Sequence, residues 1–241
     1  MARTSIVLPV HMGRQPTDVS CGPTCLQAVY AYYGKRVSTK KLIGSVPSLA
    51  DGGTLGVMLA QDALARGFRV RIATWNLRVF DPTWFGDDAP PLAERLRMRA
   101  RAKRKNTKLF TAANAYADLV DAGGDVELCD LQTSLIIKTL KRGVPILTGL
   151  SATFLYRESR QRSHDDVVDD LRGDPVGHFV VLTGYDPTKR TVLVTDPMHP
   201  NPLSKTHTYP VAIERLVGAI YLGVLTYDAN LIMIEPDDRA H

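Results

Sequence analysis

The sequence predicts an α+β protein, because the spacing of its apolar residues changes along the chain. In the first half, apolar residues recur at the three- and four-residue spacing of amphipathic helices. After residue 176 they fall in short β-rich runs, which favour strands. The length of 241 residues and the apolar fraction of 44% suit a sizeable core. No repeat or linker divides the chain, so residues 1–241 are predicted to form a single domain.

The first predicted helix begins beside a cysteine. A β-prone run over residues 5–10 and a loop with Gly and Pro lead to the sequence Cys21-Gly-Pro-Thr-Cys25. Pro23 suits the first turn of a helix and Gly34 its end. Between them the apolar residues have helical spacing: Leu26, Val29, Tyr30 and Tyr33. We therefore expect Cys21 at the mouth of this helix and Cys25 packed one turn further in.

Two further helices are predicted before residue 125. One has an apolar face made of Leu55, Met58, Leu59 and Ala63, ends at Gly67 and leads into a strand over residues 68–72. The other is a single long helix from about residue 91 to residue 122, which Gly123-Gly124 interrupts.

Positive charge is concentrated in this long helix. The net charge is only +5, but residues 95–108 contain eight Lys and Arg residues and no acidic residue. A solvated helix face is one interpretation, and a surface for an acidic peptide, a nucleic acid or an anionic membrane is the other. Because aromatic residues are not interleaved with the charges, nucleic acid is not an expected partner.

The remaining elements complete the α+β pattern. A helix is predicted over residues 133–142 and a buried strand over residues 144–150. Residues 152–175 are polar and without periodicity, which indicates a surface loop or lid. Strands over residues 179–185 and 191–195 flank a turn and predict a hairpin. A short helix near residues 211–216 and strands near residues 220–227 and 231–234 follow.

Cys21 is the candidate nucleophile. The N–H groups and the dipole at a helix N-terminus favour a thiolate, which is the reactive form of cysteine. Cys25 and Cys129 are predicted to be structural thiols, because buried cysteine is usually an inert small hydrophobe. The spacing of Cys21 and Cys25 lacks a matching second pair of ligands, so we do not expect a zinc site. Three cysteines in such a chain also do not predict a disulfide framework.

His178 and Asp196 are the candidate base and orienting group. In the predicted hairpin, His178 at the start of the first strand comes opposite residues 196–198 at the end of the second. A cysteine nucleophile needs such a base, held in one orientation by a third group. Gln15 and the backbone N–H of Cys21 are the candidate oxyanion donors. His199 is a weaker substitute for His178.

In these residues the chain resembles the C39-like branch of the papain-like cysteine peptidases. The resemblance lies in Gln15 to Cys21 with the Cys-Gly-Pro-Thr sequence, in Gly53-Thr-Leu, and in Gly177-His178-Phe-Val-Val-Leu-Thr-Gly-Tyr-Asp with Asp196-Pro197. It implies a papain-like fold, in which an N-terminal helical part with the Cys packs on an antiparallel sheet with the His and Asp. It also implies peptide-bond hydrolysis. Residues 78–130, a basic helical insertion, and residues 152–175 are interpreted as additions to the family core.

The predicted function is a cysteine-dependent hydrolase of a peptide or isopeptide-type amide, acting through Cys21, His178, Asp196 and Gln15. An acyltransferase with the same triad and a non-catalytic C39-like peptide-binding domain are the alternatives. No cofactor or metal is expected, and the partner is a peptide or protein substrate, with an acidic one as a candidate. The residues leave the substrate and the oligomeric state open.

The predicted location is the cytoplasm. No apolar run reaches the length of about 18 residues that a transmembrane helix needs. The start of the chain has an apolar patch of only five residues and no small-residue cleavage site, so no signal peptide is expected.

Overall fold

The computed structural model describes residues 4–49, 52–162, 165 and 167–237. In this part of the chain, eight strands form one sheet and helices cover both of its faces. The strands are β1 Ile6–Val7, β2 Phe68–Thr74, β3 Asp125–Glu127, β4 Ile146–Ser151, β5 Gly177–Asp186, β6 Thr191–Thr195, β7 Thr208–Ala212 and β8 Asn230–Pro236. The α-helices are α1 Cys21–Tyr32, α2 Thr39–Ser45, α3 Gly56–Ala65, α4 Leu92–Ala102, α5 Thr107–Asp121, α6 Thr133–Lys141, α7 Ala152–Tyr156 and α8 Ile213–Leu222. Short 3-10 helices occupy Pro82–Trp84 and Gly223–Thr226. The predicted α+β class is confirmed.

The sheet is almost entirely antiparallel. Its order is β3, β2, β8, β4, β5, β6 and β7, and β1 pairs with β5. Only β2 and β3 run parallel to each other. The predicted hairpin of β5 and β6 is present, with Val181 opposite Thr195 at the end of the pairing. His178 therefore lies near the same end of the sheet as Asp196, which follows β6.

Two apolar cores lie on the two faces of the sheet. Phe179 and Val181 of β5 belong to the core beneath α1, α3, α4 and α5. Val180 and Leu182 belong to the core beneath α6, α7 and α8. Alternate residues of a strand point to opposite faces, so β5 contributes to both cores at once. This double burial explains why its sequence is apolar without interruption.

The prediction of one long helix over residues 91–122 is wrong. The structure has two helices, α4 and α5, joined by a turn over residues 103–106. The side chain of Asn106 accepts a hydrogen bond from the backbone N–H of Leu109 at 3.0 Å. This N-cap satisfies a donor that would otherwise lack a partner and starts a new helix. The basic residues therefore occupy α4, the turn and the start of α5.

The end of the chain also differs from the prediction. The short helix predicted over residues 211–216 begins only at Ile213, because Thr208–Ala212 forms β7 and pairs with β6. Residues 220–227, predicted as a strand, instead complete α8 and form the 3-10 helix. The apolar residues of α8 fit strand and helix equally well in such a short run, and its packing on the sheet decides between them. Helix α2 was not predicted; Ser38 caps it by accepting from the N–H of Lys41.

The prediction of a loop over residues 152–175 is wrong for the first five of these residues. These form α7, in which Leu155 and Tyr156 are buried. Further on, Gln161 makes isolated bridges to Val168 and Asp174. Residues 163, 164 and 166 of this segment lie outside the described residues. The buried hydroxyl of Tyr156 has a hydrogen-bond partner, because it donates to Asp196.

Candidate active site

The site begins at the first residue of α1, where Cys21 is partly buried. The preceding loop is held by Ser20, whose hydroxyl donates to the carbonyl of Thr17 at 2.8 Å and accepts from its N–H at 2.9 Å. No side chain caps the helix. Pro23 has no N–H, so the N–H groups of Cys21 and Gly22 are the donors that the helix start presents. These two N–H groups could donate hydrogen bonds to an oxyanion that forms beside the Cys21 thiol.

His178 contacts both Asp196 and Cys21. Its Nε2 lies 2.9 Å from Oδ1 of Asp196. Cys21 also lies close enough to the imidazole to raise the pKa of His178. Because Nε2 is occupied by Asp196, Nδ1 is the nitrogen that remains for the thiol. The structure therefore brings together three of the four predicted site residues.

Asp196 is fully buried, and its carboxylate accepts five hydrogen bonds. Oδ1 accepts from His178 and from the N–H of Met198 at 2.9 Å. Oδ2 accepts from the hydroxyls of Tyr156 and Tyr209, each at 2.6 Å, and from Asn201 at 3.0 Å. Five donors occupy or exceed the roughly four lone-pair sites of an ionised carboxylate and leave no room for an acid proton, so the site is built for a charged Asp196.

The hydrogen bonds shift both pKa values in the directions that charge the pair. Burial alone would raise the pKa of Asp196, but the bonds from His178 and the two tyrosines lower it to about 2. Burial alone would lower the pKa of His178, but its bonds to Asp196 and Cys21 raise it to about 10. At neutral pH the pair is therefore a carboxylate and an imidazolium, and the imidazolium is held beside the Cys21 side chain.

The side chain of Gln15 bonds within its own loop. Its Nε2 donates to the carbonyl of Thr17 at 3.1 Å and to that of Asp18 at 3.4 Å. Its Oε1 is buried and has no hydrogen-bond partner among the described residues. Its backbone N–H donates to the carbonyl of Pro197 at 2.9 Å, which joins the loop before Cys21 to the residue after Asp196. The backbone of Gln15 is thus part of the site, whereas its amide is not directed at Cys21.

The other candidate residues take structural positions. Cys25 is fully buried, its thiol donates to the carbonyl of Phe179, and burial raises its pKa well above the ordinary value. Cys129 is partly buried, and all three cysteines are free. The ring of His199 packs against His207, with ring centroids 5.3 Å apart, and it is Asn201 that reaches Asp196. Within the described residues no group of three or more His, Cys, Asp or Glu side chains could hold a metal ion.

Sequence reasoning missed three donors to Asp196. Tyr156 lies in α7, Tyr209 in β7 and Asn201 in the connection between β6 and β7. The isolated tyrosines give no pattern that predicts a shared partner. A weak signal existed at Asn201, which closely follows Asp196 in a Pro-rich turn.

A family model matches residues 95–222, which is more than half of the chain, and its description is Peptidase_C39 like family. The chain belongs to this family. The match includes His178 and Asp196 and starts within α4. A search of curated proteins returns no match.

Three solved structures of proteins described as peptidases or proteases are similar to this chain. A protein from Bacillus anthracis described as a C39-like peptidase has 17% identity and a TM-score of 0.51, with 98% of this chain and 99% of the other covered. A double-glycine-motif protease from an AMS/PCAT transporter, solved with a leader peptide, has 13% identity and a TM-score of 0.43, with coverage of 98% and 100%. Xylellain, a cysteine protease from Xylella fastidiosa, has 14% identity and a TM-score of 0.44, with coverage of 98% and 87%. The likeness to the Bacillus anthracis structure shows a C39-like peptidase fold, as the sequence predicts. Among its described residues, no helix is both long and apolar enough to span a bilayer.

Proposed function

We propose that this chain is a cysteine peptidase that hydrolyses a peptide or isopeptide-type amide bond through Cys21, His178 and Asp196. The observation that carries the proposal is the position of His178, whose Nε2 lies 2.9 Å from Oδ1 of Asp196 and whose imidazole interacts with the Cys21 side chain. This is the geometry that a nucleophile, its base and an orienting group require. Membership of the C39-like family supports the same reaction class.

The reaction begins from the ion pair of a Cys21 thiolate and the His178 imidazolium. The thiolate attacks the amide carbonyl, and negative charge develops on the carbonyl oxygen. The backbone N–H groups of Cys21 and Gly22 stabilise this oxyanion at the start of α1. Gln15 adds a side-chain donor when its longer bond to Asp18, at 3.4 Å, is exchanged for the oxyanion.

Collapse of the intermediate expels the amine, which takes the proton from His178. The acyl group is then bound to Cys21 as a thioester. His178, again neutral, removes a proton from water, and the hydroxide attacks the thioester and releases the acid. Asp196 keeps the imidazole in place throughout, because the donors from Tyr156, Tyr209 and Asn201 fix its carboxylate. We further propose that residues 1–241 act as one domain.

Alkylation with iodoacetamide at neutral pH tests the nucleophile. Peptide mass spectrometry reports the rate at each cysteine, and Cys21 is expected to react much faster than Cys25 and Cys129. Equal rates at Cys21 and Cys129 would contradict the proposal and would favour a non-catalytic peptide-binding domain. His178→Gln should slow Cys21 alkylation, whereas His199→Gln, the matched control, should not.

A peptide-library digest tests the reaction. Hydrolysis gives products that gain one water, whereas transfer to an added amine gives products that carry the amine, so product masses separate a peptidase from an acyltransferase. Gln15→Ala is expected to slow turnover about 10²-fold or more, as loss of an oxyanion donor does. The same variant should leave Cys21 alkylation unchanged, because alkylation forms no oxyanion. A parallel loss of alkylation would assign Gln15 a structural role.

A further inference from the structure

The turn between α4 and α5 is a concave basic surface. Residues 101–106 line a depression of about 330 Å³ and include Arg101, Lys103, Arg104 and Lys105. All four of these side chains belong to exposed residues. We call residues 101–106 the basic turn.

The basic charges of this region fall into two groups. Arg97 pairs with Asp118 at 3.0 Å and Asp121 at 2.5 Å, and Arg99 donates to the carbonyl of Arg78. These contacts hold α4 against its neighbours. For the four cations of the basic turn, by contrast, the described residues supply no ion-pair partner. Four like charges without counter-charges raise the free energy of the isolated chain, and an anionic partner lowers it.

The basic turn lies at the same end of the sheet as the candidate active site. Asn106 donates to the hydroxyl of Tyr227 at 3.3 Å. The guanidinium of Arg78 and the ammonium of Lys108 lie over the Tyr227 ring, at 5.5 and 5.7 Å from its centroid. The preceding residue, Thr226, packs so closely on Gly177 that a Cβ atom there would lie 2.6 Å from its Oγ1. Gly177 is the residue before His178, so the contacts run without a break from the basic turn to the site.

We propose that the basic turn binds an acidic segment of the peptide whose amide is cleaved at Cys21. This inference rests on the proposed function and adds the chemistry of the substrate to it. Carboxylates of Asp or Glu side chains fit exposed Lys and Arg side chains at a surface depression, and such charges steer the encounter of the partners. A nucleic acid is less well matched, because Tyr227 is nearly buried and offers no stacking face. A membrane is less well matched, because Ala102 is the only apolar residue of the turn.

Binding of a defined peptide tests the proposal. The probes are a fluorescein-labelled octapeptide of alternating Glu and Ser and its counterpart with Gln for Glu, measured by fluorescence anisotropy with the wild-type chain. The Glu peptide is expected to bind about tenfold or more tightly than the Gln peptide, and to weaken with added salt. The triple variant K103Q/R104Q/K105Q should lose this preference. The matched control R36Q/K40Q/K41Q removes the same charge from other exposed residues and should retain it.

A second measurement connects binding to the site. Saturating Glu peptide should slow iodoacetamide alkylation of Cys21 in the wild type and not in the basic-turn variant. Binding without this protection, or tighter binding of a single-stranded oligonucleotide or of phosphatidylserine vesicles, would overturn the proposal. Failure of Cys21 to react faster than Cys129 would instead contradict the proposed function, and the anisotropy result would still decide whether the turn binds acidic peptides.

Discussion

The hydroxyl of Tyr156 donates a 2.6 Å hydrogen bond to Oδ2 of Asp196, the carboxylate oxygen that does not face His178. Tyr209, which follows Asp196 in the sequence whereas Tyr156 precedes it, donates to the same oxygen. The two hydroxyls therefore leave Oδ1 for His178 and set the direction of the carboxylate. The buried Asp196 follows β6 and binds side chains of α7 and β7, so one carboxylate both orients His178 and links these elements.

Tyr156→Phe removes one of these donors and keeps the ring. We expect a loss of about 1–3 kcal/mol in the free energy of unfolding, because a buried acceptor loses a partner. The pKa of Asp196 should rise, and the acid limb of the pH profile for Cys21 alkylation should move to higher pH. Tyr221→Phe, at an exposed tyrosine, is the control. An unchanged acid limb in Tyr156→Phe would show that the hydroxyl does not support the charge of Asp196.

Asp196→Asn should separate the role of Asp196 in orienting His178 from its role in packing. An Asn side chain has one acceptor oxygen, so its amide must face at least one of the present donors. We expect Cys21 reactivity and turnover to fall by about 10²- to 10⁴-fold, as for other orienting aspartates. The measurement is the alkylation rate beside the far-UV spectrum of the folded protein. Asp186→Asn, at the partly buried last residue of β5, should change neither the alkylation rate nor turnover. A normal alkylation rate in Asp196→Asn would remove Asp196 from the mechanism.

The Asp196–His178 pair should give the stability of the chain an acid limb and an alkaline limb. The folded pKa of Asp196 is lowered from 3.8 to about 2, so its contribution is present above pH 3.8 and is lost as pH falls towards 2. The folded pKa of His178 is raised from 6.5 to about 10, so its contribution is present below pH 6.5 and is lost as pH rises through 10. Urea unfolding at a series of pH values measures both limbs. The alkaline limb should disappear in His178→Gln and persist in His199→Gln.

The sequence was sufficient for the parts of the site that are close in chain order. The turn at Asp186 to Arg190 predicted the hairpin, and the hairpin brought His178 to Asp196. The sequence also placed Cys21 at a helix start, because Pro23 and Gly34 mark the ends of α1. It was insufficient where distant segments decide the result. The insertion of β8 between β2 and β4 depends on pairing across long loops, for which a single sequence carries no local signal.

The orientation of Gln15 shows a second limit of sequence reasoning. Its distance from Cys21 in the chain predicts a side-chain donor, but the carbonyls of Thr17 and Asp18 compete for the same N–H groups. Such local competition between side chain and backbone depends on the exact turn. The division of residues 91–122 into two helices has the same origin, because one Asn side chain decides it.

Asp228 should destabilise the fold at alkaline pH. It is buried, and Oδ1 accepts from the N–H of Gly56 at 2.7 Å at the start of α3. Burial raises its pKa to about 7, although the Gly56 and Lys108 contacts oppose this effect. Because the folded pKa is raised, the contribution is present below pH 3.8 and is lost as pH rises from 3.8 through 7. Asp228→Asn keeps an acceptor for Gly56, so we expect the variant to gain stability relative to the wild type between pH 5 and pH 9. Equal destabilisation at both values, measured by urea unfolding, would contradict this.

Gly22→Ala should move Cys21 through steric contact alone. A Cβ atom at Gly22 would lie 2.7 Å from Cγ2 of Thr54, 3.1 Å from Cδ1 of Leu59 and 3.3 Å from Cδ2 of Phe179. Alanine favours helices more than glycine does, but overpacking of this kind costs about 1–3 kcal/mol and outweighs the gain. We therefore expect lower stability and slower alkylation of Cys21.

Thr54→Ser provides the rescue. Serine lacks Cγ2 but keeps the hydroxyl that donates to the carbonyl of Pro47 at 2.9 Å. The double variant G22A/T54S should recover most of the stability and of the Cys21 alkylation rate, and T54S alone should resemble the wild type. A double variant as slow as Gly22→Ala would show that Leu59 and Phe179, not Thr54, fix the start of α1. Because Phe179 follows His178 in β5, that result would mean that the position of the thiol is set by the strand that carries its base.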